Sequence, residues 1–550
     1  MTTWDATDRP IGGRATPIAE QEEKITRTYP KWEGRILALF VLAVSLFVGY
    51  ELVFRYQVVY GDAMSRALSG LYTVFRPHFH LAAIGFLWNP LPSLLAIPFA
   101  LLRGFWPPLM QLGFAANIIS AGFAAVGVFH LNRLAWRFGL GRWTRIAVCL
   151  LYVVNPMMLL YGGNGMTDGM ECAILIACVD QMLSYLMDDN LMGIVKAGTW
   201  LAAAFMVRYE TVPIGAAFAL GILLTVYRRD RDWQKAIGIS IAFLFPVFTA
   251  GITWIFLNWM IMHNPLYFAD SHYSNAAQLS SGIYNTAAVV ADRHNLTATV
   301  LNVWGFMRLF WPFPIAFAAA ALSWFFQRSK SPVLPIALGS LGAPALQALL
   351  LYGHRSADWA RFFIYYIPFG FMLFAFSLSL VKATARKWLA LGAVVVLLSA
   401  DYGTWQTLHS PVWGHGDHGV VSHIEYGTPL NRGQNAMYKI IDGRSVAAYI
   451  NTHSNLRVLM SSFVSFSIIP LITNPGQIVF TNDADFKAVL LNPRGRVNAI
   501  LAAPINGFTQ ASDAITRTYP ALWSGGVPWT RLIKSFPGGD RLYAILPSAP

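Results

Sequence analysis

The sequence carries little charge. Only 12% of its 550 residues are Asp, Glu, Lys or Arg, about half the share found in an average soluble chain. Hydrophobic residues make up 55% of the chain, and its mean hydropathy is +0.47. Together these values exclude an ordinary soluble enzyme and predict a protein with many membrane-spanning helices.

Cysteine is scarce, and an early apolar segment is missing. Cys149, Cys172 and Cys178 lie in apolar runs without a CxxC motif, which argues against a disulfide framework or a cysteine metal site. The polar N-terminus lacks the apolar stretch of a signal peptide. We therefore expect residues 1–34 to form a disordered cytoplasmic tail.

The net charge of +13 would suggest a nucleic-acid partner in a soluble protein. Here the basic residues gather in short stretches between apolar runs, as the positive-inside rule describes for cytoplasmic loops. The charge therefore indicates topology, and no nucleic-acid partner is expected.

Residues 35–404 predict a helical membrane domain with its N-terminus in the cytoplasm. A helix needs about 20 apolar residues to cross a bilayer. Loops 57–108 and 262–303 would lie outside, the first with short surface helices because its prolines interrupt a span. About eleven spans are predicted, near residues 35–56, 109–132, 146–161, 170–187, 193–207, 211–227, 236–261, 304–326, 332–352, 361–381 and 388–404.

The composition changes at about residue 405. From there to residue 550 the chain is more polar, and its strand-like runs are "RVLMSSF", "QIVFTN", "VNAILAA" and "RLYAILP". Helical pieces lie between these runs, which predicts a small α/β domain. An odd number of spans places it outside. The predicted fold class is a mainly α polytopic membrane protein with a C-terminal extracytoplasmic α/β domain.

Acids and bases gather at the predicted outer ends of the spans. Ionisable groups at a membrane edge are costly, so each one is a functional hypothesis. Separate stretches of the chain bring them to one level of the bilayer, under the outer domain. They are Asp62 and Arg66, then Asp168 and Glu171, then Arg208 and Glu210, and finally Arg355, Asp358 and Arg361.

This cluster suits chemistry on a phosphate-linked substrate. A carboxylate such as Asp62 could accept the proton of an acceptor hydroxyl within hydrogen-bond reach. Asp168, Glu171 or Glu210 could supply a second acid that contacts a metal or the substrate. Guanidinium groups bind phosphate through paired hydrogen bonds. The candidates for that role are Arg66, Arg208, Arg355 and Arg361.

Each residue also has a structural interpretation. Asp62 and Asp168 could cap the helices that they precede, because Asp is a favoured N-cap. Arg208 and Glu210 could form a structural ion pair, and Arg361 could anchor a helix at headgroup level. It is the joint arrangement that favours a functional site.

Histidines give a weaker signal. His78 and His80 in the first outer loop could bind a metal if the stretch is extended, but substrate contact or simple interfacial placement is favoured. The stretch "HGDHGVVSHIE" at residues 415–425 is either a metal-binding segment or a solvated linker.

The order of these features resembles the GT-C superfamily of integral membrane glycosyltransferases. An acid follows the first span, and the motifs after it are "WNPLPSLLAIPF", "GNGMTDGME", "RYE", "NPLYFADSHYSNAAQ" and "RFFIYYIP". The resemblance covers roughly residues 35–404. It is strongest for the bacterial branch that includes lipid A aminoarabinose transferases and protein O-mannosyltransferases.

The resemblance implies an inverting sugar transfer from a polyprenyl-phosphate donor to a glycan, lipid or protein acceptor at the outer face of the inner membrane. It makes Asp62 the general base, matches Asp168 and Glu171 to the second-loop acids, and places the lipid phosphate at Arg208 and Arg361. The first-loop motif is GDA where many relatives have an Asp-Glu pair, and there is no clean DxD motif. Dependence on a divalent cation, Mg²⁺ or Mn²⁺, therefore stays open.

Two other functions stay open beside the transferase. A transporter or flippase for lipid-linked saccharides would usually show an internal repeat and polar or broken spans at mid-depth, whereas here the charges lie at the span ends. A receptor or scaffold would act through the outer domain alone.

Overall fold

The structure is a computed structural model that describes most of the chain. Part of the predicted tail at residues 1–34 and part of the predicted loop at 262–303 lie outside the described residues. The described residues are 28–76, 78–271, 274, 286–326, 331–381, 386–431 and 435–547.

The helices before residue 265 include the longest apolar segments. They are α1 (Lys31–Tyr50), α2 (Gly61–Tyr72), α3 (Leu91–Leu101), α4 (Pro108–Gln111), α5 (Phe114–Arg137), α6 (Arg142–Val154), α7 (Pro156–Gly163), α8 (Thr167–Asp188), α9 (Leu191–Phe205), α10 (Thr211–Asp230) and α11 (Trp233–Met262). A π-helical turn at Glu51–Arg55 extends α1.

The later helices lead into the C-terminal domain. They are α12 (Tyr267–Asp270), α13 (Ala287–Asp292), α14 (Leu296–Gly305), α15 (Phe313–Phe326), α16 (Leu334–Tyr352), α17 (Tyr366–Ser379), α18 (Arg386–His409), α19 (His415–Tyr426), α20 (Ala436–Thr452), α21 (Ser462–Ser465), α22 (Phe486–Leu491), α23 (Gly507–Ser512), α24 (Ala514–Thr518) and α25 (Leu522–Gly525). Short 3₁₀ helices include Phe306–Phe310 and Ala360–Phe363.

Among the described residues, seven helices are long and apolar enough to cross a membrane. Two bent helix pairs raise that number to nine: α6 with α7, bent by 69°, and Leu296–Phe310 with α15, bent by 94°. The remaining two predicted spans correspond to α9, which is apolar but only 15 residues long, and to α18. The chain is therefore a multi-pass membrane protein with a helix or helix pair at each predicted span.

The bend between α6 and α7 has a local cause. Pro156 begins α7, where its missing N–H is tolerated and its ring prevents continuation of α6. The side chain of Asn155 caps α7 by accepting hydrogen bonds from the backbone N–H groups of Met157 and Met158. The next helix, α8, is buried along almost its whole length, as expected for a helix with apolar residues on every face. It forms the centre of the bundle.

The C-terminal domain contains a five-stranded sheet in the order β2-β1-β3-β5-β4. Strands β1, β2 and β3 are parallel and fully buried, whereas β5 runs antiparallel to both β3 and β4. The strands are β1 (Val458–Met460), β2 (Ile478–Phe480), β3 (Ala499–Ala502), β4 (Thr530–Ser535) and β5 (Arg541–Ile545). The predicted fold class, a helical membrane protein with an α/β domain, is confirmed.

The domain contacts the stretch of chain that contains α2. Arg76 donates hydrogen bonds to the carboxylate of Asp483 and to the carbonyl oxygen of Ile478, the latter at 2.6 Å. Asn482 Nδ2 donates to the carbonyl oxygen of Ala83 at 2.8 Å. These bonds fix the α/β domain beside α2, and we call this end of the helical bundle the α/β-domain side.

Candidate active site

Asp62 lies in the first turn of α2 on the α/β-domain side. The helix begins at Gly61 with Tyr60 as its N-cap, and no side-chain capping bond is present. The carboxylate instead accepts a hydrogen bond from Arg361 Nη1 at 3.0 Å, and the side chain is 59% exposed. Capping is therefore not the role of Asp62 in this structure, and its carboxylate is open to a ligand.

The charge of Asp62 is held by neighbouring arginines. Enclosure by the surrounding helices acts to raise the pKa of Asp62, but the charges of Arg361 and Arg66 outweigh it, so the pKa lies below its usual value. Asp62 is thus a carboxylate at neutral pH and can accept a proton or a hydrogen bond.

Arg66 follows Asp62 by one turn of α2 and is buried. Its guanidinium stacks over the ring of Trp88, with 4.6 Å from Cζ to the ring centroid. Nη1 has no hydrogen-bond partner among the described residues. Burial lowers the pKa of Arg66 to about 10, which leaves it protonated at neutral pH. A buried cation with an unused donor is a site that an anion would complete.

Two glycines place Asp168 at the site, Gly165 in the turn between α7 and α8 and Gly169 in the first turn of α8. Gly165 has a φ of +80°, a left-handed conformation that glycine adopts at no steric cost. A Cβ at Gly169 would lie 2.5 Å from the carbonyl oxygen of Tyr161, so only glycine permits that close approach. The N-cap of α8 is Met166, without a side-chain cap, and capping is therefore not the role of Asp168 either.

Arg208 connects three carboxylates. Its Nη1 donates to Asp168 at 2.8 Å, its Nη2 donates to Glu210 at 2.6 Å, and its Nε lies 3.5 Å from Glu171. All four side chains are at most 13% exposed. The ion pair of Arg208 with Glu210 that the sequence allowed is present, and it belongs to this larger network.

Glu171 is fully buried and completes the network from within α8. Its carboxylate accepts hydrogen bonds from the hydroxyls of Thr211 and Tyr365. Tyr365 lies four residues after Arg361, so the network joins α8, the start of α10 and the segment that carries Arg361. Each of its two carboxylate oxygens accepts from a protein hydroxyl, which indicates a positioning role.

Asp417 is a further acid of the site. It lies in the first turn of α19, and Tyr161 Oη is 2.9 and 3.2 Å from its two carboxylate oxygens. Burial raises the pKa of Asp417 to about 6, against the hydrogen bond from Tyr161 and the charge of Arg361. The protonation of Asp417 therefore changes close to neutral pH.

Several buried polar atoms around these residues have no hydrogen-bond partner among the described residues. Such atoms are rare in folded proteins, and each needs an explanation. A group of them lies in the chain segments that build the site: Tyr60 Oη, Arg66 Nη1, Asn164 Nδ2 and Asp168 Oδ2. Polar atoms of a bound substrate would account for them.

The structure brings together seven of the residues that the sequence singled out. They are Asp62, Arg66, Asp168, Glu171, Arg208, Glu210 and Arg361. Arg355 lies in the turn after α16 with an exposed side chain. Its neighbour Asp358 is buried, accepts a hydrogen bond from Thr286 at 3.0 Å and lies 3.4 Å from His415 Nε2.

His78 and His80 are not joined to this network by any hydrogen bond or ion pair among the described residues. His78 is exposed, and His80 precedes a 3₁₀ turn and donates its backbone N–H to Thr73. Their roles stay predictions. Within the described chain no three His, Cys, Asp or Glu side chains converge as metal ligands, so we assign no residue to a divalent cation.

Asp417, Tyr161 and Tyr365 were missed in the sequence. The signal for Asp417 was present, since it lies in the histidine-rich stretch at 415–425. That stretch is neither a solvated linker nor a metal cluster here, but a helix whose first turn contributes to the site.

Asp417→Asn is expected to stabilise the protein at neutral pH. Burial holds the pKa near 6 in the folded state, above the value of about 3.9 for an unfolded chain. The folded state therefore binds this proton more tightly, and stability falls as pH rises from about 4 to 6. Asn cannot ionise and still accepts the Tyr161 hydrogen bond, so its gain should reach roughly 2–3 kcal/mol above pH 6.

Melting temperatures of the purified wild type and Asp417→Asn, measured from pH 4.5 to 7.5, test this. The two curves should meet at the acid end and separate towards neutral pH. A constant difference across the range would mean that Asp417 does not titrate there.

Solved structures of ArnT share this fold. ArnT from Cupriavidus metallidurans bound to undecaprenyl phosphate is 12% identical and aligns over 93% of this chain and 99% of its own, with a TM-score of 0.55. The apo form is 13% identical and aligns over 92% and 97%, with a TM-score of 0.52. The Archaeoglobus fulgidus oligosaccharyltransferase is 10% identical and aligns over 96% and 76%, with a TM-score of 0.44.

No protein-family profile matches the chain, and no curated protein matches it in sequence. At these low identities the likeness to ArnT concerns the fold. The fold that the predicted resemblance implied is therefore confirmed.

Proposed function

We propose that the protein is a membrane glycosyltransferase that moves a sugar from a polyprenyl-phosphate donor to an acceptor, with inversion at the anomeric carbon. The observation that carries this proposal is the pairing of an accessible carboxylate, Asp62, with the buried and incompletely bonded cation Arg66 and with Arg361. General base and anion site lie side by side on the α/β-domain side of the bundle.

The anion site suits a lipid phosphate. The related fold of ArnT holds undecaprenyl phosphate, and in the present chain two arginines face the accessible carboxylate. Guanidinium groups bind phosphate oxygens through paired, charge-assisted hydrogen bonds. Arg66 Nη1 supplies an unused donor. Arg361 supplies those N–H groups of its guanidinium that do not donate to Asp62.

The transfer itself needs one proton acceptor and one stabilised leaving group. Asp62 accepts the proton of the acceptor hydroxyl while that oxygen bonds to the anomeric carbon. The bond from the anomeric carbon to the phosphate oxygen breaks on the opposite face, and its electron pair stays with the phosphate. Arg66 and Arg361 neutralise the charge that develops on the leaving polyprenyl phosphate.

Donor binding and activation of the base are linked through Arg361. Its guanidinium donates to Asp62 and lowers the pKa of that carboxylate. A donor phosphate competes for the same guanidinium. As Arg361 turns to the phosphate, Asp62 loses a hydrogen bond and becomes a stronger base, so the base is activated when the donor is present.

Arg208 then acts as a positioning residue. Its donors are used by Asp168, Glu171 and Glu210, so it holds the acids of α8 and α10 under the site. Asp168 keeps one oxygen free, and we assign it to substrate hydroxyls. We place the site at the outer face of the inner membrane, where the α/β domain contacts the acceptor from water.

Arg361→Gln and Arg66→Gln are each expected to weaken binding of a polyprenyl-phosphate donor by about tenfold to a hundredfold, because hydrogen bonds to charged groups contribute roughly 1.5–3 kcal/mol. Arg361→Lys should recover only part of the affinity, since lysine lacks the planar fork. Binding of polyprenyl phosphate to the purified protein, followed by native mass spectrometry, measures the effect.

Arg496→Gln is the matched control, because Arg496 is an exposed arginine of the α/β domain. It should bind the lipid as the wild type does. If both Arg361→Gln and Arg66→Gln bound the lipid with unchanged affinity, the donor phosphate would not bind at this site.

A further inference from the structure

A cavity opens beside the bend between Leu296–Phe310 and α15. Its volume is about 510 Å³, within the range of roughly 300–1,000 Å³ for small-molecule sites. Three tryptophans, Trp304, Trp311 and Trp413, line it together with the polar side chains of Gln406 and Ser410. Its wall is therefore part aromatic and part polar.

Arg308 supplies the charge of this cavity. Its guanidinium stacks over Trp413, with 3.7 Å from Cζ to the ring centroid, and its Nε donates to the carbonyl oxygen of Gly305 at 2.7 Å. These two contacts fix the plane of the group. Nη1 and Nη2 have no acceptor among the described residues, and none of the cavity's described lining residues is acidic. The cavity thus presents oriented donors to an anion.

The surroundings of the cavity have the composition of a membrane interface. Trp304 and Trp311 are exposed, and so are Leu301 and Ile315 on the same bent helix pair. Tryptophans concentrate where the headgroups begin, and the exposed apolar side chains of a membrane-spanning pair contact lipid tails. An anion that reaches Arg308 from this direction is the headgroup of a lipid.

The cavity is separate from the candidate active site. Phe306, which is fully buried, adjoins the lining residue Trp413. It stacks on Phe363 with 4.1 Å between centroids, and Trp413 packs edge-on against it at 5.0 Å. Phe363 lies two residues after Arg361, and Trp413 lies four residues before Asp417. A ligand in the cavity therefore contacts Trp413 of this aromatic group, whereas no residue of the candidate active site lines the cavity.

We propose that this cavity binds a phospholipid with an anionic headgroup, with the phosphate on the Nη atoms of Arg308 and the headgroup hydroxyls on Gln406 and Ser410. Zwitterionic headgroups are disfavoured because the described lining has no acid for their ammonium group. This site is independent of the proposed transfer, because its ligand is neither donor nor acceptor.

Native mass spectrometry of the delipidated full-length protein tests the proposal. The probes are dihexanoyl-phosphatidylglycerol, dihexanoyl-phosphatidylcholine and inorganic phosphate. The wild type should bind the phosphatidylglycerol more tightly than either other probe, and Arg308→Gln should weaken that binding by about tenfold, the effect of one lost charged hydrogen bond. Gln406→Trp keeps Arg308 but fills the cavity, and it should weaken binding as well.

Arg228→Gln is the matched control. Arg228 also stacks on a tryptophan, Trp324, but its Nη atoms donate to the carbonyl oxygens of Trp324 and Phe325. It should bind lipid as the wild type does. Equal affinities for the two lipids, equally tight binding of inorganic phosphate, or wild-type affinity in Gln406→Trp would each overturn the proposal, and Gln406→Trp decides the question if Arg308→Gln does not fold.

Discussion

Asp62→Asn is expected to lose sugar transfer by about 10²–10⁴-fold, the usual contribution of a general base, or roughly 3–5 kcal/mol of activation barrier. The substitution keeps the volume of the side chain, and its amide oxygen still accepts the hydrogen bond from Arg361. Capping is not at stake, because α2 has no side-chain cap. The variant should therefore fold and bind the donor lipid, and lose only the proton acceptor.

Two quantities are measured on the same preparation: the initial rate of sugar transfer and the affinity for the donor lipid. Asp485→Asn, at an exposed acid of the α/β domain, is the control and should transfer at the wild-type rate. If Asp62→Asn kept more than about a tenth of the activity, its loss would be too small for a general base. The base would then have to be Asp168 or Asp417.

Arg208→Gln is expected to destabilise the folded protein by about 3–5 kcal/mol, because removing one partner of a buried ion pair leaves an uncompensated charge. Here one guanidinium serves Asp168, Glu171 and Glu210, and Gln replaces it with a neutral amide. The double variant Arg208→Gln/Glu210→Gln removes one of the unpaired carboxylates and should recover part of the loss.

Thermal unfolding in detergent, without any substrate, separates the two roles considered for Arg208. A lowered melting temperature in the single variant, partly restored in the double variant, supports the positioning role. A wild-type melting temperature together with weakened donor binding would instead indicate that Arg208 binds the donor phosphate, as the sequence resemblance implied.

Hydrophobicity made most of the architecture predictable. Apolar runs of spanning length are set by the bilayer itself, so a helix or bent pair lies near each predicted span. Strands β1, β2, β3 and β5 were predicted, because they lie in the strand-like runs "RVLMSSF", "QIVFTN", "VNAILAA" and "RLYAILP". Strand β4 was missed because "TRLIKS" lies exposed at the sheet edge and carries no burial pattern.

The candidate site was predictable where the topology alone brings residues together. Asp62, Arg208 and Arg361 come at corresponding ends of different helices, and the bundle places such ends on one side. Asp417 was not predictable, because its partner Tyr161 lies 256 residues away in the sequence, and only the hydrogen bond between their side chains connects them. The contacts of Arg208 with three acids also depend on side-chain geometry, which cannot be inferred from the spacing of these residues in the sequence.

The central claim is sugar transfer from a lipid phosphate, and one measurement tests it most directly. Purified protein is incubated with a synthetic polyprenyl-phosphate sugar labelled on the sugar, together with cell-envelope acceptors, and both products are quantified. The account predicts one polyprenyl phosphate released for each sugar transferred by the wild type, and about a hundredth or less of either product from Asp62→Asn. Movement of intact donor lipid across a liposome bilayer, with no cleavage of the bond between sugar and phosphate, would contradict it and identify a transporter.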